Sequence, residues 1–255
     1  MVTIIDTHHH FIDPERFHYP LLDDDTFAVL RQLYAQNEFL ADIGDLDVVG
    51  SVHVQAEVDH ATDPVLETAW LQSLADAGEQ RVPSAAVGYA DLRRPDVEDT
   101  LERHCQYPVL KGIRQEAWFD PKSERSDIPR DNLLEDERWR DGYRALGRFG
   151  LSFDMLVWGW QITEVARFVA TVPDVPIILE HMGMPPADDA AALQIWRSGM
   201  RDLAAVDHAA VKISGLGQVD PLWSTGTLRD LVLETIDIFG VERCISEATT
   251  RWRNW

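Results

Sequence analysis

The sequence predicts a (β/α)8 barrel. Short β-rich runs alternate with longer amphipathic ones along all 255 residues, the signature of parallel βα units. Several of these runs are almost wholly apolar, as strands covered on both faces require. Length is the third observation, because barrels of this type commonly use about 250 residues as a single domain.

Taken in order, the strands are expected at Thr3–Asp6, Val49–Gln55, Ser84–Tyr89, Val109–Ile113, Leu151–Val157, Pro176–Leu179, Ala209–Ser214 and Arg243–Ile245. Asp63 and Pro64 open the first clear helix, with Val65, Leu66, Ala69, Leu71 and Leu74 on its apolar side. Further helices are expected near Pro95–Cys105, Asp136–Phe149, Gln161–Val172, Ala187–Val206 and Thr227–Phe239. Trp139, Tyr143, Leu146 and Phe149 form a stripe at helical spacing and read as core. No repeat or linker divides the chain, so one domain over 1–255 is expected. A doubly wound sheet is the rival fold, weakened in its dinucleotide-binding form because no GxGxxG follows the first strand.

Composition narrows the partners. The net charge is −21, from 44 acidic and 23 basic residues. Such a surface repels phosphate backbones, which excludes nucleic acid as the expected partner. No apolar run approaches the roughly 18 residues needed to cross a bilayer, and Met1–Asp6 has no signal-peptide character. Cys105 and Cys244 make no disulfide framework. The expectation is a cytoplasmic protein acting on a small molecule. Its oligomeric state is not legible.

In a barrel the chemistry lies at the C-terminal ends of the strands. The first strand runs into His8-His9-His10. Alternation sends His8 and His10 to one side and His9 to the other. Two imidazoles so placed can grip one divalent metal or one substrate oxygen. His181 ends the sixth strand and adds a third imidazole. On the fourth strand Lys111 must face a polar cavity or pair with a carboxylate. Arg114, at the strand's end, can hold a carboxylate bidentately or serve a structural ion pair. Gln55 and Asp154 read as buried hydrogen-bonding groups. Trp118, Trp158 and Trp160 either wall a pocket or pack.

The segment Ile5–Pro14 followed by Arg16–Pro20 resembles the opening of the amidohydrolase-2 family, in its lactonase-like branch of sugar-acid and 2-pyrone-4,6-dicarboxylate lactonases. Val52–Ala56, Leu110–Arg114, His181–Pro185 and Val211–Gly215 resemble later motifs of the family in the right order. The resemblance implies a (β/α)8 barrel and hydrolysis of a lactone of a sugar acid or a dicarboxylate, in carbohydrate metabolism. It implies catalytic roles for His8, His10 and His181, which are also the metal ligands if zinc or another divalent ion is used. The branch includes metal-free chemistry, so no cofactor is the other outcome. Lys111, Arg114, Gln55 and Trp158 are the expected substrate contacts. A metal-dependent decarboxylase of the same superfamily is the alternative enzyme, and an inactive truncated homologue the non-enzymatic one.

The resemblance breaks at the eighth strand, where the family carries Phe-Gly-Ser-Asp or Asn. Here Ile245 is followed by Ser246-Glu247-Ala248-Thr249-Thr250. One added T after the Ile245 codon lets the same bases read Ile-Phe-Gly-Ser-Asp-Tyr-Pro. Residues 245–255 are therefore expected to be an off-frame tail, with the barrel truncated at strand eight and its last helix lacking. On that expectation metal binding and activity are weak. Genomic DNA in which no single insertion lengthens the frame defeats it.

Overall fold

The structure is a computed structural model that describes residues 3–78, 82–122, 129–219 and 224–246. The fold is a (β/α)8 barrel. Eight strands stand in chain order in one sheet, with helices between successive strands. Every expected strand forms, with no end shifted by more than three residues. The tail beyond Ser246 lies outside the described residues, and with it the off-frame expectation. Among the described residues no helix is long and apolar enough to cross a membrane. The chain divides into two compact units, the first holding most of 1–114 and the second most of 115–246.

The first unit contains β1 (Ile4–His9), α1 (Gln36–Ile43), β2 (Val48–Val54), α2 (Val65–Ala77), β3 (Ala85–Tyr89), the greater part of α3 (Val97–His104) and β4 (Leu110–Arg114). The strands pair in parallel, β1 with β2, β2 with β3 and β3 with β4. β1 runs three residues past its expected end because His9 still pairs with His53. Sequence periodicity did not reveal α1. Its signal is local: Glu38 accepts the Ala35 N–H at 3.0 Å, and Phe39 is buried. A buried polar bridge ties α2 to α3, with Thr68 Oγ1 2.9 Å from His104 Nδ1. His104 Nε2 donates to the Tyr89 carbonyl at 3.0 Å. Burial lowers the His104 pKa, which keeps this ring a neutral structural group.

The second unit contains α4 (Glu137–Phe149), β5 (Ser152–Met155), α5 (Ile162–Val169), β6 (Ile177–Leu179), α6 (Ala190–Ala204), β7 (Ala209–Ile213), α7 (Leu216–Val219), α8 (Thr225–Phe239) and β8 (Cys244–Ser246). Parallel pairing runs from β5 through β8. Asp136 caps α4 by accepting the Arg138 N–H at 2.9 Å, and Gly150 closes it at φ +65°. Trp139, Tyr143 and Leu146 are fully buried, as the stripe predicts, while Phe149 is only half-buried. Gly142 lets α4 pass so close to the Leu92 carbonyl that a Cβ would sit 2.1 Å from its oxygen.

Candidate active site

The first unit gathers imidazoles. His8 Nε2 and His10 Nε2 lie 3.2 Å apart, on one side of the strand. His9 is turned to the other side, where it meets Ser51 Oγ at 3.0 Å and packs on Phe11 and Phe39. Strand alternation alone accounts for this split. His10 Nδ1 lies 2.8 Å from the Val54 carbonyl. A carbonyl can only accept, so Nδ1 carries the proton and a neutral His10 turns the lone pair of Nε2 toward His8. Two imidazole nitrogens bound to one tetrahedral zinc at about 2.05 Å stand about 3.3 Å apart. The observed spacing fits that donor set.

Behind this pair is a ring that the sequence reading left without a role. His53 is fully buried. Its Nδ1 accepts the Phe11 N–H at 3.0 Å, so Nε2 carries the proton and faces Glu67 Oε1 at 3.4 Å. Glu67 also accepts the Ala56 N–H at 3.2 Å. These contacts brace the segment after the first two strands from beneath.

Arg114 is buried at the end of β4. One of its nitrogens donates to the Gln55 carbonyl at 3.0 Å and meets Glu57 Oε1 at 3.4 Å. Gln55 is fully buried. It accepts the Glu57 N–H at 2.7 Å and donates its amide to the Glu57 carboxylate. Lys111 is exposed. The expectation that it faces a cavity is corrected: it lies on the strand face opposite to Arg114, and its stem reaches water.

The second unit is built on charge. Lys212 on β7 is buried, bonded to Asp154 of β5 and 3.7 Å from Glu180 Oε1. Both carboxylates are fully buried. Burying ions is expensive unless they are paired, so this triad is a committed feature of the strand ends. The sequence reading quoted Lys212 inside a family motif and gave it no task. The signal was a lysine in an otherwise apolar strand, the same argument that was applied to Lys111.

His181 follows β6 in an unusual turn. His181, Met182, Gly183 and Met184 have φ of +52°, +55°, +66° and +49°, a run of left-handed residues. Each non-glycine residue there costs about 1–2 kcal/mol. Identifiable contacts offset this. Ser214 Oγ takes the His181 N–H at 3.2 Å and lies 2.8 Å from its Nδ1. Trp196 donates to the Met182 carbonyl at 2.7 Å. When Nδ1 donates to Ser214, the lone pair of Nε2 is left for a ligand. Gly215, at φ +62°, passes so near that a Cβ would stand 2.6 Å from the His181 ring. Trp158 is half-buried and lies beside Trp118, ring centres 5.0 Å apart. Trp160 sits apart from them, exposed against Phe119.

The family model for amidohydrolases matches residues 5–245. Protein y4mH of Sinorhizobium fredii is 37% identical over 96% of this chain and 83% of its own length. The L-fucono-1,5-lactonase of Burkholderia multivorans is 27% identical over 96% of this chain and 76% of its own. A crystal structure of an amidohydrolase from Burkholderia multivorans with bound zinc superimposes with a TM-score of 0.77, at 27% identity, over 98% of this chain and 85% of that one. With strand order, strand-end histidines and the family match in agreement, the chain belongs to the amidohydrolase family.

Proposed function

We propose that this protein hydrolyses the ring ester of a lactone, with His8, His10 and His181 as its catalytic imidazoles. The observation that carries the reading is the His8–His10 pair at 3.2 Å with the His10 tautomer fixed by Val54. That pair is preorganised for a cation or for an oxygen that gains charge. The likeness to an L-fucono-1,5-lactonase supports a sugar-acid lactone as substrate.

The buried cations argue in the same direction. Arg114 is faced by Glu57, and Lys212 by Asp154 and Glu180. Each already has a carboxylate beside it, which favours an uncharged lactone over a dicarboxylate.

The donor set also suits a divalent metal. In the first unit His8 and His10 offer two ring nitrogens at metal-ligand spacing, and in the second His181 and Glu180 each offer a ligand atom. A bound zinc would polarise the carbonyl and bring the pKa of water toward about 7. The chain's own groups orient the rest: Ser214 fixes the His181 ring, Val54 fixes His10, and Lys212 pairs with Asp154 and Glu180.

A panel of aldonolactones followed by proton release tests the reading, with the protein depleted of metal and then loaded with zinc. Zinc-restored opening of a sugar lactone is expected. Release of carbon dioxide from a carboxylated substrate, with every lactone left intact, would instead indicate the decarboxylase.

A further inference from the structure

The strand ends of the first unit carry a second set of side chains that the lactone reading leaves without a task. Glu57 stands three residues past the end of β2 at φ +56°, a conformation that disfavours every residue but glycine, asparagine and aspartate. One carboxylate oxygen lies 3.2 Å from His60 Nε2. The other faces Arg114 at 3.4 Å and accepts the Gln55 amide. His60 is exposed on the surface. Its ring is stacked on Tyr89, the last residue of β3, with centres 4.0 Å apart and planes 8° from parallel. The Tyr89 hydroxyl is 3.2 Å from His60 Nδ1.

A structural ion pair needs only Glu57 and Arg114. It does not need a strained backbone that aims the second carboxylate oxygen at a solvent-accessible imidazole. Nor does it need an aromatic stack beside that oxygen. The group has a carboxylate acceptor, an imidazole that can donate or accept, a phenol and a flat aromatic surface. Those are the partners that adjacent ring hydroxyls require. It also lies at the ends of β2, β3 and β4, where barrels carry their sites. Through Gln55 it adjoins Val54, whose carbonyl fixes His10.

We propose that Glu57, His60 and Tyr89 form a subsite for vicinal hydroxyls on an uncharged, sugar-derived ring. Glu57 accepts from one hydroxyl while Arg114 and Gln55 hold it in place, and His60 and Tyr89 meet the next. The proposal rests on the lactone reading and names the substrate feature that selects among lactones.

The test uses the whole protein with two substrates, a polyhydroxylated aldono-1,5-lactone and unsubstituted δ-valerolactone. His60→Ala and Tyr89→Phe change half-exposed or exposed groups, and Glu57→Gln is included once circular dichroism shows it folded. Each variant is expected to lower the kcat/KM ratio of hydroxylated to bare lactone about tenfold, the loss of roughly one hydrogen bond. Both lactones opened, with an unchanged ratio in His60→Ala and Tyr89→Phe, would overturn the subsite. Binding of a methyl pyranoside, read by saturation-transfer NMR, separates the two ideas. Binding by the wild type and its loss in the variants supports the subsite even if no lactone is opened, which would sink the lactone reading alone. No pyranoside binding and no lactone opened would overturn both.

Discussion

The ends of β1 and β6 both present histidine, and they do so by different means. At β1 an ordinary extended strand places His8 and His10 on one side, and a single main-chain carbonyl fixes the tautomer. At β6 the strand is only three residues long, and His181 is presented by left-handed backbone beside three buried charges. The contrast separates a site whose groups are incidental to stability from one whose groups are part of it. Losing the side chain of His8 or His10 should harm function and spare the fold. A loss in the β5–β7 group should harm both.

The largest expected effect tests that coupling directly. Lys212→Met leaves Asp154 and Glu180 buried without their cation, and should cost about 3–5 kcal/mol. Urea denaturation measures it, and a cost below about 1 kcal/mol would mean that the triad is not what holds this region. His10→Ala should lower turnover on the order of a hundredfold or more while the urea midpoint stays within about 0.5 kcal/mol of the wild type. A midpoint shift as large as that of Lys212→Met would erase the contrast. Gly215→Ala sharpens it, because its methyl group must push the His181 ring aside. A displacement near 1 Å costs up to about a hundredfold in rate; unchanged kinetics would show that the ring position is not critical.

The smallest effect is expected at His18. His18 Nδ1 and Nε2 face Asp59 and Asp23 at 3.0 and 3.1 Å, and these hydrogen bonds, Asp59 first, raise its pKa above 6.5. A raised pKa means that the protonated form is the stabilised one. Its contribution is complete below 6.5 and fades as pH rises through the folded value. NMR titration should place the His18 midpoint above 6.5, and Asp59→Asn should bring it down. A midpoint at or below 6.5 would remove this clamp.

Much of the barrel was legible because parallel strands buried on both faces leave apolar runs with clear ends. The β1 histidines were legible for a related reason: alternation is local geometry. His181 could be found from its place after an apolar strand. Lys212 and Glu180 could not be ranked above Lys111, because whether a strand lysine ends up buried or exposed depends on neighbours distant in sequence. Glu57 was missed on the same ground. Its backbone strain and its contacts to Arg114 and His60 exist only in three dimensions. Arg114 was found by its position, but its pairing with Glu57 was not.

The left-handed run at 181–184 also bears on the order in which the chain assembles. Within those four residues only Gly183 and the bond from the Met184 N–H to the His181 carbonyl favour that conformation, and the other three residues carry side chains that oppose it. The contacts that hold it come from Trp196 on α6 and Ser214 after β7. The turn can settle only after segments up to 33 residues further along have docked. Its formation is therefore a late event, and the β6 histidine reaches its final place near the end of folding. Pulse-labelled hydrogen exchange should show the Met184 amide, which donates to the His181 carbonyl, gaining protection after the amides of β6. Protection at the same moment would mean that the turn forms on its own.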